Sequence, residues 1–321
     1  MNIAFVGFRH NHIMGLYQQC MACEEVTVVG AYEEDETARK EAQKSVTVPF
    51  YDSYDALLND KNVEAVAVGD YYGIRGERIT KALEAGKHVI ADKPICTSLD
   101  ELADIAALSQ RNSLKVSCML DLRYGCAMRT AKRMIEEGKL GTIHAVNFTG
   151  QHPLNWGTRP GWYFEEGKHG GTINDLAIHG VDAVRYITGK DYVRTVGVRT
   201  WNAFADKAPD FKDCAQFIAE YEGGIGVTAD VSYSVISGLP ESMPGYWRFT
   251  VWGTEGTLEF RYGDKELVYA SNASKKIETI PADEVTDTIL SDFLKPYDRA
   301  EVENTLLSCA AVLNIQKCAD A

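Results

Sequence analysis

The chain opens Met1-Asn2-Ile3-Ala4-Phe5-Val6-Gly7-Phe8-Arg9-His10-Asn11-His12, an apolar run that stops at a glycine, and Ile13-Met14-Gly15-Leu16-Tyr17 continues from it with helical spacing. Continuous apolar runs of this length fit strands buried on both faces of a parallel sheet. The pattern repeats: a run at 26–32 ends at Glu33-Glu34-Asp35, one at 63–68 at Gly69-Asp70, and one at 88–91 at Asp92-Lys93-Pro94. Helical segments separate them at 37–44, 54–59, 75–85 and 99–111, and 117–122 reads as the strand that closes this half. Strands alternating with helices require right-handed crossovers and a sheet covered on both faces. Ligands of such sheets bind at the carboxyl ends of the strands, where Gly7, Glu33, Gly69 and Lys93 fall.

The second half changes character. A helix at 127–137 is followed by β-rich runs at 142–149, 193–201, 214–221, 225–233, 248–252 and 257–262, with shorter ones at 266–270 and 276–280. Alternation such as Phe217-Ile218-Ala219-Glu220-Tyr221, closed by Glu222-Gly223-Gly224, predicts a mostly antiparallel sheet with helices on one face. The fold class is therefore α/β, a doubly wound parallel sheet of the Rossmann kind over 1–122, followed by an α+β domain over 123–321. A last helix at 299–319 is expected to pack near the domain junction. The stretch 233–247, with Gly238, Pro240 and Pro244, reads as a loop or an interface segment.

Chemistry concentrates in Gly170-Gly171-Thr172-Ile173-Asn174-Asp175-Leu176-Ala177-Ile178-His179-Gly180-Val181-Asp182. Asp175 and His179 stand four apart at a helix start, a spacing that stacks side chains on one face. A carboxylate that orients an imidazole suits proton transfer near neutral pH. The same residues also fit a helix cap, with Thr172 as N-cap and Asp175 three residues on. At the first strand end, the glycine positions of a dinucleotide-binding turn hold Gly7, Arg9 and His12, so only the first glycine is kept. Arg9 either points away from a cofactor or pairs with its phosphates. Glu33 falls where an acid accepts ribose hydroxyls, or else belongs to a solvated acidic turn with Glu34 and Asp35.

Taken in order, Ala82-Leu83-Glu84-Ala85-Gly86-Lys87-His88-Val89 leading into Asp92-Lys93-Pro94, then Ile135-Glu136-Glu137-Gly138-Lys139-Leu140-Gly141, the Gly170-to-Asp182 block and Ile187-Thr188-Gly189 resemble the glucose–fructose oxidoreductase / inositol dehydrogenase / rhizopine-catabolism (Gfo/Idh/MocA) family nearly end to end. The resemblance implies hydride transfer between a nicotinamide cofactor (NAD, with NADP as the alternative) and a sugar, polyol or inositol-like substrate. It places catalysis on Lys93, Asp175 and His179. Cofactor contacts are expected from Gly7, Phe8, Arg9, His10, Asn11, His12, Glu33, Gly69, Asp70, Tyr71, Asp92, Lys93 and Pro94. Substrate contacts are expected from Lys93, Asp175, His179, Arg123, Arg159 and Trp162, the last two in an aromatic and polar loop at 151–171. The family's usual Glu-Lys-Pro is Asp92-Lys93-Pro94 here, and its Thr-Pro-Asn-like turn is Gly69-Asp70-Tyr71-Tyr72, with Arg75 near the place of a histidine. The resemblance also implies a homodimer or homotetramer built on the far face of the open sheet. Relatives that only sense a nucleotide, and NAD-dependent glycosidases, are the alternatives.

Composition sets outer limits. The 321 residues, 45% hydrophobic and 25% charged, contain no apolar run long enough for a membrane span. A net charge of −13 opposes nucleic acid or an anionic membrane as partner. With a first strand from residue 2 no signal peptide is expected, and eight scattered cysteines suit a reducing cytoplasm. Cys20-Met21-Ala22-Cys23 lacks a second ligand pair, and His10 and His12 sit where a cofactor phosphate is expected, so no metal is assigned.

Overall fold

A computed structural model describes residues 1–235 and 245–321. Gly238, Pro240 and Pro244 lie outside the described residues. The chain forms two compact units, each assembled from separated segments. The first comprises 1–119, 160–170 and 288–309; the second comprises 120–159, 171–287 and 310–321.

In the first unit the expected apolar runs form a five-stranded, all-parallel sheet in the order β2-β1-β3-β4-β5. The strands are β1 (Asn2–Val6), β2 (Thr27–Tyr32), β3 (Ala65–Val68), β4 (His88–Ala91) and β5 (Val116–Cys118). A parallel bridge between Ala31 and Phe50 puts one more extended residue outside β2. Counting that bridge as a strand, the order is 3-2-1-4-5-6, the doubly wound dinucleotide arrangement, whose chain reversal lies between β1 and β3. Five helices, α1 (His12–Ala22), α2 (Glu36–Ala42), α3 (Tyr54–Asn59), α4 (Tyr72–Glu84) and α5 (Leu99–Asn112), separate the strands. Asp35, Ser53 and Ser98 accept from the N–H groups of Ala38, Ala56 and Glu101, so the starts of α2, α3 and α5 are set by side-chain caps.

Two expectations need correction here. Helix α4 begins at Tyr72 rather than 75, because Tyr72 is fully buried and anchors the first turn in the core. The run at 117–122 does not stay extended. Strand β5 ends at Cys118, Leu120 leaves the extended region (φ −100°, ψ 65°), and Asp121–Tyr124 form a 3-10 turn. Apolarity alone did not distinguish a strand from a buried turn.

The second unit is an eight-stranded sheet in the order β13-β12-β11-β10-β6-β9-β8-β7. It is built from β6 (Ile143–Pro153), β7 (Tyr192–Trp201), β8 (Cys214–Tyr221), β9 (Ile225–Val235), β10 (Arg248–Gly253), β11 (Gly256–Arg261), β12 (Glu266–Ser271) and β13 (Ile277–Pro281). All neighbours are antiparallel except the central pair β6–β9. Helices α6 (Cys126–Glu136) and α7 (Ile178–Thr188) pack together, and α7 lies on β6. At the α7–β6 crossing only glycine fits: a Cβ on Gly180 would come within 2.1 Å of the Phe148 ring. Alternate residues of β8, β9 and β12 are buried, while Ile218 of β8 and Val268 of β12, on the other parity, are exposed. Two more helices follow, α8 (Ile289–Leu294) and α9 (Arg299–Asp320). Helix α8 was not anticipated; Thr288 and Ser291 close a capping box around it.

Candidate active site

The first unit builds its site at the β1/β3 reversal. Gly7 has φ +75°, and a Cβ there would lie 2.5 Å from Cβ of Asp70, so the first glycine of the turn is obligatory. Arg9 and His12 are absent from the positive-φ residues, so their backbone conformation does not itself call for glycine. Next to this turn, no side chain caps the N-terminus of α1 and no acid lies in its first turn. That leaves amide N–H groups and a positive dipole end suited to a pyrophosphate.

Glu33 is buried rather than part of a solvated turn. Its carboxylate accepts from Phe8 N (2.6 Å), Asp35 N (2.9 Å) and Arg9 Nε (3.2 Å). Arg9 also lies 3.4 Å from Asp70 and stacks over Tyr71 at 5.0 Å. The guanidinium therefore neither leaves the turn nor stands open for a phosphate; it spans two buried acids. Burial pushes both the Glu33 and Asp70 carboxyls above their usual range, with Arg9 partly opposing it.

At the end of β4 the central residue is Asp92. Its carboxylate pairs with Arg75 (2.8 Å) and His10, accepts from Lys93 N (2.7 Å), and lies 3.6 Å from His12 Nδ1. Arg75, wholly buried, also donates to Asp70 O (2.7 Å) and Pro94 O (3.0 Å), so it brackets Lys93 on both sides. The Lys93–Pro94 peptide is cis. Burial lowers the His10 pKa to about 3, so the ring is neutral, donating through Nδ1 to Asp92 and accepting from Tyr72 Oη at 3.2 Å. Burial disfavours the Asp92 charge, yet Arg75 and His10 outweigh it and hold that carboxyl well below the usual range. His10, His12 and Asp92 have ligand atoms within 4.8 Å of one another. Arg75 already supplies the positive charge a metal would bring. Asp92 is thus an internal anchor for the loop.

Trp162 is buried, donates to Arg9 O (3.2 Å), and packs on Tyr72 and Tyr163. It braces the turn from the 160–170 segment of the same unit. Cys20 is buried with its thiol pushed up to about 12 by desolvation, so Cys20 and Cys23 present no ready thiolate pair.

In the second unit, Asp175 and His179 are both buried, although an acid avoids the interior. Asp175 lies in a π-helical turn, Ile173–Ala177, that runs into α7. Such turns recur at functional positions because the widened backbone redirects side chains. The capping alternative is not realised: the Thr172 hydroxyl donates to Lys212 O, and the Asp175 carboxylate accepts from Tyr233 Oη of β9. Trp247 stacks edge-on to the His179 ring at 5.4 Å and donates Nε1–H to His152 Nε2 at 3.2 Å. Tyr233 and Trp247 were missed by sequence reasoning, since nothing in an alternating strand marks the tyrosine that reaches a distant acid. Arg123 pairs through both nitrogens with Asp182, and Arg159 donates to Leu154 O (2.9 Å) and Pro153 O (2.6 Å). The sequence-derived residues thus fall into two groups, Lys93 and the cofactor set in the first unit and Asp175 and His179 in the second.

Comparison with known proteins is consistent with this division. Residues 1–120 match the oxidoreductase family described as an NAD-binding Rossmann fold, and residues 128–259 match the GFO/IDH/MocA C-terminal domain. The chain belongs to the Gfo/Idh/MocA oxidoreductase family. As expected of that family, its first unit is an NAD-binding domain. Levoglucosan dehydrogenase of Pseudarthrobacter phenanthrenivorans is 25% identical over 246 residues, 70% of this chain and 62% of that protein. The matched segment therefore spans about three fifths of that curated relative's length. Among solved structures of the Gfo/Idh/MocA fold, one from Erwinia carotovora atroseptica superposes with a TM-score of 0.88 at 24% identity, covering 99% of this chain and 98% of its own. A levoglucosan dehydrogenase complex with NADH and levoglucosan gives 0.79 at 17% identity, covering 100% and 96%. Among the described residues no helix is long and apolar enough to cross a membrane.

Proposed function

We propose that this oxidoreductase is a sugar or polyol dehydrogenase that uses NAD in preference to NADP, with Lys93, Asp175 and His179 as its reacting groups. The observation that carries the reading is burial: a lysine, an aspartate and a histidine are withdrawn from water, at a cost that packing alone does not require. Their order in the chain is that of the family's catalytic positions, and a relative is named for dehydrogenation of an anhydro sugar. NAD, when bound, supplies the hydride acceptor.

His179 takes the proton of the reacting hydroxyl, and returns it when the reaction runs toward the alcohol. Lys93 brings a positive charge that stabilises the developing alkoxide. Asp175, held by the Tyr233 hydroxyl, orients the imidazole or binds a neighbouring hydroxyl. Glu33 favours NAD because a 2′-phosphate would meet an already buried carboxylate. Exposed Val193, Val196, Ile218, Val268 and Ile277 on the sheet strands support self-association through that face. In this reading the protein is a cytoplasmic homo-oligomer.

His179→Ala and Lys93→Met test the chemistry. Each is expected to keep a native circular dichroism spectrum and NAD binding while lowering kcat by about 10²–10⁴ on whichever sugar the NADH-absorbance screen identifies. Turnover of His179→Ala near the wild-type rate would remove His179 from the proton-transfer step.

A further inference from the structure

The second unit contains a cavity of about 360 Å3 that borders the Asp175 site at Tyr233. Its walls include Trp156 from the loop after β6, Phe204, Asp206 and Lys207 from the loop after β7, and Tyr233 and Ser234 of β9. We propose that this cavity is a saccharide subsite for a second ring, glycosidically joined to the ring that reacts. The substrate would then be a disaccharide or glycoside rather than a free monosaccharide or polyol. This rests on the reading of Asp175 and His179 as groups at the reacting oxygen.

Three observations support the assignment. The first is the chemistry of the walls. Trp156 and Phe204 are each 39% exposed, and they face a concave space that also holds a carboxylate, an ammonium and a hydroxyl. Aromatic faces beside a few polar groups match a pyranose, which has apolar C–H faces and a rim of hydroxyls. An acyl chain would have no hydrogen-bonding group to offer Asp206 and Lys207.

The second is that both loops are fixed by bonds of their own. Asp213, wholly buried, accepts the N–H groups of Ala203 (2.8 Å), Phe204 (3.0 Å) and Ala205 (2.8 Å). Asn202 closes the same loop on Ala205 and Ala208. On the other wall Arg159 holds the carbonyls of Pro153 and Leu154 and stands 5.6 Å above the Tyr233 ring. A buried carboxylate and an arginine committed to two surface loops set the positions of their aromatics in advance, which reduces the ordering cost of binding.

The third is position. The Tyr233 ring lines the cavity while its hydroxyl donates to Asp175. One side chain therefore links the proposed second-ring site to the proposed reacting group.

The test uses the full chain loaded with NAD+. Saturation-transfer NMR and tryptophan-fluorescence titrations are run with cellobiose, maltose, lactose, melibiose, trehalose and sucrose, and with glucose, galactose, fructose and myo-inositol. We expect one or more disaccharides to bind about tenfold tighter than their own monosaccharides, with saturation reaching both rings. Trp156→Ala and Phe204→Ala, both at half-exposed positions, should collapse that ratio to near unity. The proposal is overturned if no disaccharide exceeds its component sugars, or if both variants keep the wild-type ratio. His179→Ala separates the two readings. Retained turnover with the disaccharide ratio intact removes the chemical role and leaves the subsite; lost turnover with no ratio in the wild type does the reverse.

Discussion

At the scale of single residues, the departures from a dinucleotide fingerprint resolve into backbone geometry and charge. Gly7 is required because its φ is positive and Asp70 presses on it; Arg9 stands where no such demand exists and its side chain lies between Glu33 and Asp70. Two buried carboxylates sharing one guanidinium make Arg9 a structural cation. Arg9→Ala should lower stability to urea by about 1.5–3 kcal/mol, the range for hydrogen bonds to charged groups, and weaken NAD binding. Because the loss arises from uncompensated acids, Asp70→Asn on top of Arg9→Ala should recover part of it. A double-mutant cycle in urea gives the coupling directly. Strict additivity would mean that Arg9 and Asp70 do not sense each other.

At the scale of elements, the helix that carries His179 owes its place to a close approach. Gly180 lets α7 settle on β6, with the Phe148 ring where a methyl group would otherwise be. Gly180→Ala should cost about 1–3 kcal/mol by overpacking, and Phe148→Leu should relieve it; calorimetric melts of the three variants decide. If Gly180→Ala melts with the wild type, the helix has room to shift and the contact is not limiting. Apolar and alternating runs located most strands to within a residue or two, since burial writes its period directly into the chain. Less legible was anything that depends on a partner far away in sequence. The π-helical turn at Asp175, the Tyr233 hydroxyl on that acid, and Trp247 beside His179 arise from tertiary packing. Likewise the end of β5 at Cys118 follows from the turn at Leu120, where Met119, Leu120 and Leu122 prolong the apolar run past the point at which the backbone leaves the strand. Lys93, Asp175 and His179 were singled out by their spacing and family order, whereas the bracing of Lys93 by Arg75 depends on tertiary packing.

At the scale of the whole molecule, the buried charges should set how stability responds to acid. His10 is held neutral, with its pKa lowered to about 3 from an ordinary 6.5, and Asp92 is held ionised well below its usual range. For both groups the unfolded chain binds more protons than the folded one as the pH falls. Their contribution is therefore full above the unfolded pKa, near 6.5 for His10, and is lost as the pH drops toward the folded value. Glu33 and Asp70 act with the opposite sign. Burial raises their carboxyls, so their contribution is present at low pH and declines as the pH rises through the raised folded pKa. The wild-type profile is the sum of these opposing slopes, and a single melt does not separate them. His10→Asn does, because the amide donates to Asp92 without titrating. Thermal melts of wild type and His10→Asn across pH 4–7 should converge or run parallel near neutrality, with the wild type losing ground progressively below about pH 6.5. A constant difference over the whole range would show that His10 titrates alike in the folded and unfolded chains, and the neutral, buried imidazole would have to be abandoned.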